Sequence, residues 1–201
     1  KLKFVDGIEV TDTLFHSIPE FSLVNQYGDT MEVKNLDSAI SVIQFFFASC
    51  PIICPGITAN LAGVFEKYNK LSDFQLVSIT VDPIRDSVAA LLNYSQKHNP
   101  FAVSGAEPPG GNWYFLTGNR EEIYNLAIKG FFVSASEDAL SAGGFIHSEM
   151  LVLLDREKHI RGVYDETNSK EVSNLVNGIK LLYAEYALKE RREKKLEVMR
   201  N

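Results

Sequence analysis

The sequence predicts an α/β fold in which a mixed central sheet is flanked by helices. Two apolar runs, 41–47 and 74–81, are typical of strands buried on both faces. Helical periodicity over residues 55 to about 71 separates them, and a second helix is predicted from about 84 to 97. This strand-helix-strand order implies a parallel pair with a right-handed crossover. An antiparallel hairpin and a long helix then complete a mixed sheet.

The other elements follow from turn residues and shorter patterns. The chain should form a strand and turn over 19–29, a loop over 99–111, a short strand over 113–118, a helix over 119–128, an irregular excursion over 131–145, a hairpin from 148–155 to 160–164 that turns through 156–159, and a long helix from Ser169 onwards.

Length and composition favour one domain. The 201 residues are 45% hydrophobic, which suffices for one substantial core, and no shift in composition divides them. We expect residues 1–17 to form an N-terminal strand extension. Residues 189–201 should form a charged helical tail, either as a solvated face or as a surface that docks a partner.

The net charge and hydropathy pattern exclude several classes of partner. A net charge of -6 argues against nucleic acid or an anionic membrane surface as the main partner. No apolar stretch approaches the roughly 20 residues that span a bilayer, and no signal peptide is recognisable. Because the chain begins with Lys1 rather than methionine, we expect a soluble piece of a longer precursor.

The only two cysteines, Cys50 and Cys54, follow the first buried strand. Residues four apart on a helix share a face, with Cα atoms about 6 Å apart, so the two thiols can bind a soft metal or close a disulfide. Pro55 suits a first helical turn, and the positive end of the helix dipole would lower the thiol pKa. A purely structural disulfide is the alternative, although so short a loop removes little unfolded-state entropy.

The order of elements gives a thioredoxin-like layout, with one departure. In that fold a cis-proline opens the first hairpin strand opposite the cysteines, whereas this chain has no proline over 145–148 and offers His147 there. Two thiolates and an imidazole suit Cu(I) and are acceptable to Cu(II). Zinc fits less well because a fourth ligand is not evident. Three further histidines, His16, His98 and His159, fall in predicted turns or helix ends and are expected to be solvated.

Asp82 ends the second predicted strand on the cysteine edge. There it could orient a metal ligand without itself binding the metal, or it could steer a partner. The plainer interpretation, which we favour, is that Asp82 is a helix N-cap with Pro83 at the first helical position. The two roles are compatible.

Five segments together resemble the SCO/SenC family of thioredoxin-like, copper-binding assembly factors for cytochrome c oxidase. They are 18–21, 50–55, 78–83, 116–118 and 146–148, in the family's order over about residues 18–165. The resemblance implies that Cys50, Cys54 and His147 bind copper. Many members carry an acidic residue where this chain has Ile52. That difference leaves the ligands intact and removes an acidic contribution to partner contact.

The resemblance also implies partners and a compartment. We expect a metallochaperone for the dinuclear copper centre of cytochrome c oxidase, acting on its copper-accepting subunit, with other copper chaperones or thiol reductants as further partners. We expect it on the periplasmic side of the inner membrane in the cell envelope, attached only through a tether absent from this sequence. Two alternatives use the same thiols: a thiol-disulfide oxidoreductase that reduces the acceptor's cysteines, with Cys50 and Cys54 as its redox pair, and a peroxidase.

Overall fold

Over the residues that the structure describes, the architecture is a seven-stranded mixed sheet with helices on both faces, together with a separate two-stranded hairpin. The computed structural model describes residues 2–5, 8–11, 16–48, 54–99, 112–133 and 149–200, with side chains over 16–48, 58–99, 113–133 and 149–200. The strands are β1 (Leu2–Val5), β2 (Ile8–Thr11), β3 (Ser22–Asn25), β4 (Thr30–Glu32), β5 (Ile40–Phe46), β6 (Phe74–Thr80), β7 (Asn112–Thr117), β8 (Met150–Leu154) and β9 (Ile160–Asp165).

Four α-helices in the described ranges cover the sheet. A short 3₁₀ helix, Val33–Leu36, precedes β5, and a π-helical turn, Leu126–Gly130, extends the third α-helix. The α-helices are α1 (Cys54–Tyr68), α2 (Val88–His98), α3 (Arg120–Asn125) and α4 (Ser169–Arg200).

The strand order is β4-β3-β7-β6-β5-β8-β9. Strands β5, β6 and β7 are parallel, whereas β3 and β8 run antiparallel to their neighbours in this core. β1 and β2 pair with each other as the antiparallel hairpin of the N-terminal extension. The mixed α/β fold expected from the sequence is therefore confirmed.

Each face of the sheet has its own apolar core because side chains alternate along the strands. On one face Val42 and Phe46 of β5 pack with α1, α2 and α4, where Phe65 is fully buried. On the other face Ile43 and Phe45 pack with α3 and the segment around β3. The two cores therefore pack against opposite faces of β5, the strand that leads toward Cys50.

The predicted start of the second helix is wrong. Residues 83–85 form a separate turn, and α2 begins at Val88. Its N-cap is Ser87, whose hydroxyl accepts a hydrogen bond from Ala90 N–H at 3.3 Å, so Asp82 is not the cap. The predicted loop at 99–111 and the excursion at 131–145 lie almost wholly outside the described residues.

The other predicted elements are confirmed to within a few residues. The hairpin of β8 and β9 is present, and α4 continues through the charged tail to Arg200. Every residue from 187 to 200 is exposed in this single chain, so the solvated face and the partner-docking surface both stay predictions. None of the helices in the described part of the chain has the length and apolar character needed to cross a bilayer.

Candidate functional site

The strand that precedes Cys50 and the strand that follows His147 have neighbouring ends at one edge of the sheet. β5 ends there at Phe46, and the chain re-enters helical structure at Cys54. β8 begins at the same edge, because it is antiparallel to β5 with Gln44 opposite Leu151. Adjacent strands lie about 4.8 Å apart. The backbone thus enters segment 49–53 and leaves segment 134–148 at neighbouring positions.

The structure gives only part of the predicted ligand set. Cys54 is the first residue of α1, as its spacing before Pro55 suggested, but its side chain lies outside the described residues. Cys50 and His147 also lie outside them. The topology supports their proximity, and their side-chain geometry stays a prediction.

Asp82 lies at this edge and is 2% exposed. Its backbone N–H donates to Thr80 Oγ1 at 3.0 Å, and its carbonyl accepts from Arg85 N–H and Asp86 N–H. Its Oδ2 forms an ion pair with the Arg85 guanidinium. Asp82 therefore shapes a tight turn and holds the Arg85 guanidinium beside it.

Asp86 is one of the residues at this edge that the sequence interpretation missed. It is also 2% exposed, and its Oδ2 accepts hydrogen bonds from Ala48 N–H at 2.9 Å and from Thr80 Oγ1–H at 2.5 Å. Burial raises the pKa of the Asp86 carboxyl, while the hydrogen bonds from Thr80 and Ala48 lower it. Ala48 is two residues before Cys50, so Asp86 connects the end of β6 to the segment that carries the first thiol.

A second buried acid, Glu166, follows β9 at the same edge. Its N–H donates to Glu149 C=O at 2.8 Å, and its Oε2 accepts from Gln44 Nε2 at 2.9 Å. Burial, reinforced by the charges of Glu149 and Asp165, raises the pKa of Glu166 to about 8 even though the bond from Gln44 lowers it. The side chain is 4% exposed and is largely protonated at neutral pH.

Gln44 connects Glu166 to a chain of buried polar groups beneath α1. Ser78 Oγ–H donates to Gln44 Oε1 at 2.9 Å, and Trp113 Nε1–H donates to Ser78 Oγ at 3.0 Å. Each member has a partner, as buried polar groups require. No sequence pattern indicated this network, because a Gln and a Ser within apolar strands look like minor interruptions.

The remaining histidines are half-buried and occupy other places. His16 contacts Gly130 C=O through Nε2 at 2.8 Å, and His98 ends α2, where burial lowers its pKa. His159 lies beside Asp155 in the β8–β9 turn. Over the ranges that the structure describes, no three His, Cys, Asp or Glu side chains form a group suited to a metal.

Comparisons with known proteins point to one family. The model of the SCO1/SenC family matches residues 11–181. A SCO2-like protein from Rickettsia felis is 28% identical over 164 residues, which cover 79% of this chain and 75% of that protein.

Solved structures agree with this match. A SCO1/SenC family lipoprotein from Bacillus anthracis superposes with a TM-score of 0.68 at 27% identity, covering 85% of this chain and 96% of that one. Yeast Sco1, solved with copper bound, gives 0.61 at 28% identity, covering 82% and 89%.

Proposed function

Because the chain belongs to the SCO1/SenC family, we propose that it is a copper metallochaperone that uses Cys50, Cys54 and His147 as ligands. Proteins of this family are copper-binding assembly proteins of cytochrome c oxidase. The proposed task is delivery of copper to the subunit that holds the dinuclear copper centre. The cargo is Cu(I) or Cu(II).

The observation that carries the proposal is the shared edge of β5 and β8. Cys50 is four residues beyond the end of β5, and His147 is three residues before the start of β8. An extended chain covers about 3.3 Å per residue, so either segment can bring its ligand over the start of α1. Cys54, the first residue of α1, is then the third corner of the site.

The ligand set determines the chemistry. Two thiolates and an imidazole bind Cu(I) well, and the imidazole also tolerates Cu(II). The N–H groups and dipole at the start of α1 favour the thiolate of Cys54 at neutral pH. A three-coordinate ion at an open edge can pass to an acceptor by stepwise ligand exchange. Asp82 is proposed to orient a ligand through its buried carboxylate.

The direct test measures copper retention. Reduced protein receives one equivalent of Cu(I), and metal analysis follows gel filtration. We expect about one copper per chain, lost in Cys50→Ser, Cys54→Ser and His147→Ala. His159→Ala is the matched control, because this half-buried imidazole lies in the turn at the opposite end of β8. No retained copper, or an equal loss in the control, would contradict the proposal.

A thiol-disulfide oxidoreductase is the second candidate. It is favoured by the place of Cys54 at a helix start with a second thiol four residues earlier, an arrangement that suits a reactive dithiol. His147→Ala separates the two functions. It should abolish tight copper binding while leaving reduction of a disulfide peptide nearly unchanged. Loss of both in this variant would exclude an independent reductase role.

The proposed partners and compartment follow from the same family. We propose that the copper-accepting oxidase subunit is the main partner, with other copper chaperones or thiol reductants supplying metal or electrons. We also propose a site on the periplasmic side of the inner membrane. The likeness to a Bacillus anthracis lipoprotein supports attachment to the cell envelope.

A further inference from the structure

A single buried carboxylate joins three parts of the chain behind the proposed copper site. Asp86 Oδ2 accepts from the amide of Ala48, beyond the end of β5, and from the hydroxyl of Thr80, the last residue of β6. The same hydroxyl oxygen accepts from Asp82 N–H at 3.0 Å. The exit of one strand, the end of its neighbour and the turn before α2 are therefore fixed relative to one another.

The sheet does not need the bond to Ala48. The pairing of β5 with β6 is already continued beyond both strands by Val81 N–H, which donates to Phe46 C=O at 2.8 Å. Ala48 lies past this point, where the chain has left the sheet. Burying a carboxylate is costly, and well-packed apolar replacements of buried charges are often neutral or stabilising. What the acid specifically provides is a fixed position for the Ala48 amide.

We propose that Asp86 is a positioning residue for Cys50. Its carboxylate fixes the backbone two residues before this thiol, so that the sulfur keeps one place relative to Cys54. The inference rests on the proposed copper site and adds a residue to it. Asp86 touches neither metal nor partner in this scheme and acts only through the backbone of Ala48.

The mechanism is restriction of a short connection at both ends. At its far end, segment 49–53 is attached to α1, which Leu61 and Phe65 anchor in the core. At its near end, the bond from Ala48 N–H to Asp86 fixes the backbone, and the Ala48 side chain packs against the apolar core. When that bond is removed, Cys50 samples more positions, and copper binding or disulfide closure must order it. Loss of such supporting groups commonly lowers metal affinity 10- to 100-fold.

The experiment compares Asp86→Ala with Asp86→Asn in the full chain. Cu(I) affinity is measured by competition with bicinchoninate, and the exchange rate of the Ala48 amide proton by NMR. We expect Asp86→Ala to weaken Cu(I) binding about 10-fold and to speed Ala48 exchange. Asn keeps a carbonyl oxygen that can accept both hydrogen bonds, so Asp86→Asn should stay within about threefold of wild type in both measurements.

Asp155→Ala is the matched control. Asp155 is 3% exposed and also accepts backbone amides, those of Glu157 and His159, but it lies in the turn at the opposite end of β8. We expect it to lower thermal stability without changing Cu(I) affinity. Equal losses of affinity in Asp155→Ala and Asp86→Ala, wild-type affinity in Asp86→Ala, or failure of Asp86→Asn to restore binding would each overturn the proposal.

Two further measurements keep this test separate from the proposed function. If wild-type protein retains no copper, the copper function fails, and the equilibrium of the Cys50–Cys54 disulfide with glutathione, together with Ala48 exchange, still decides the role of Asp86. If Asp86→Ala does not fold, Asp86→Leu, an apolar replacement of similar size, removes the acceptor of both the Ala48 and the Thr80 hydrogen bonds. A wild-type disulfide equilibrium and wild-type Ala48 exchange in Asp86→Leu would then refute the positioning role.

Discussion

Replacing Glu166 by glutamine should remove a pH-dependent cost from the folded state. The carboxyl is buried, and its pKa is raised from 4.5 to about 8, chiefly by burial. Unfolded chains release this proton near pH 4.5, whereas the folded protein holds it until about pH 8. The stability linked to the retained proton is complete below pH 4.5 and is lost progressively as the pH rises through the folded pKa.

The magnitude follows from the two pKa values. Each pH unit between them changes the free energy of unfolding by about 1.4 kcal/mol, so the whole interval corresponds to at most about 5 kcal/mol. By pH 7 the wild type has lost about 3 kcal/mol. Glu166→Gln carries no titrating proton, and its amide oxygen can still accept from Gln44 Nε2. We therefore expect the variant to gain stability relative to wild type as the pH rises.

The assay is urea unfolding of reduced, metal-free protein at several pH values from 5 to 8.5. The informative quantity is the difference in unfolding free energy between Glu166→Gln and wild type, because other titrating groups, such as Asp86 and His98, affect both proteins. This difference should be about 1 kcal/mol in favour of the variant at pH 5 and should rise to about 3 kcal/mol at pH 7. The matched control is Glu149→Gln, which changes the exposed neighbouring carboxylate.

The stability difference between Glu166→Gln and wild type should change with pH, and its slope decides whether the folded protein keeps the Glu166 carboxyl protonated. A stability difference that does not change between pH 5 and 8.5 would show that Glu166 is ionised at the lower pH in the folded protein. A variant that becomes less stable than wild type as the pH rises would show that the charged carboxylate is stabilised in place. Glu149→Gln should change the slope only slightly, because the charge of Glu149 is a smaller contribution than burial.

Three further predictions concern stability. Phe65→Ala should cost about 3–5 kcal/mol in urea unfolding, because the ring is completely buried between the sheet and the helices. Asn119→Ala should cost about 1 kcal/mol, because its side chain accepts from the amides of Glu121 and Glu122 at the start of α3; a change below 0.3 kcal/mol would contradict the capping role. Truncation after Ala187 should change the unfolding free energy by less than about 1 kcal/mol, since residues 188–200 bury no side chain and the ion pair of Glu190 with Arg156 is long and partly exposed.

The central elements could be predicted because their signals are local. The apolar runs of β5 and β6 and the helical periodicity of α1 are properties of short windows, and the structure has them within a few residues. The start of α2 could not be predicted in this way. Asp-Pro resembles a helix start, but the Asp82 carbonyl accepts from two amides of an isolated turn, and Ser87 caps the helix. Two local patterns competed, and contacts with Thr80 favoured the turn.

The parts of the edge that sequence patterns missed depend on contacts between distant residues. Gln44 and Glu166 are 122 positions apart, and Ala48 and Asp86 are 38 apart. Nothing within a short window distinguishes these acids from the exposed Asp165 or Glu149. Each becomes buried only because the sheet order places β5 between β6 and β8.

That order brings two buried acids to the edge where the cysteines are expected, one fixing the chain before Cys50 and the other holding a proton beneath α1. Because the two acids share no hydrogen bond in the described residues, Asp86→Ala should change copper affinity without altering the pH slope of stability that Glu166 sets.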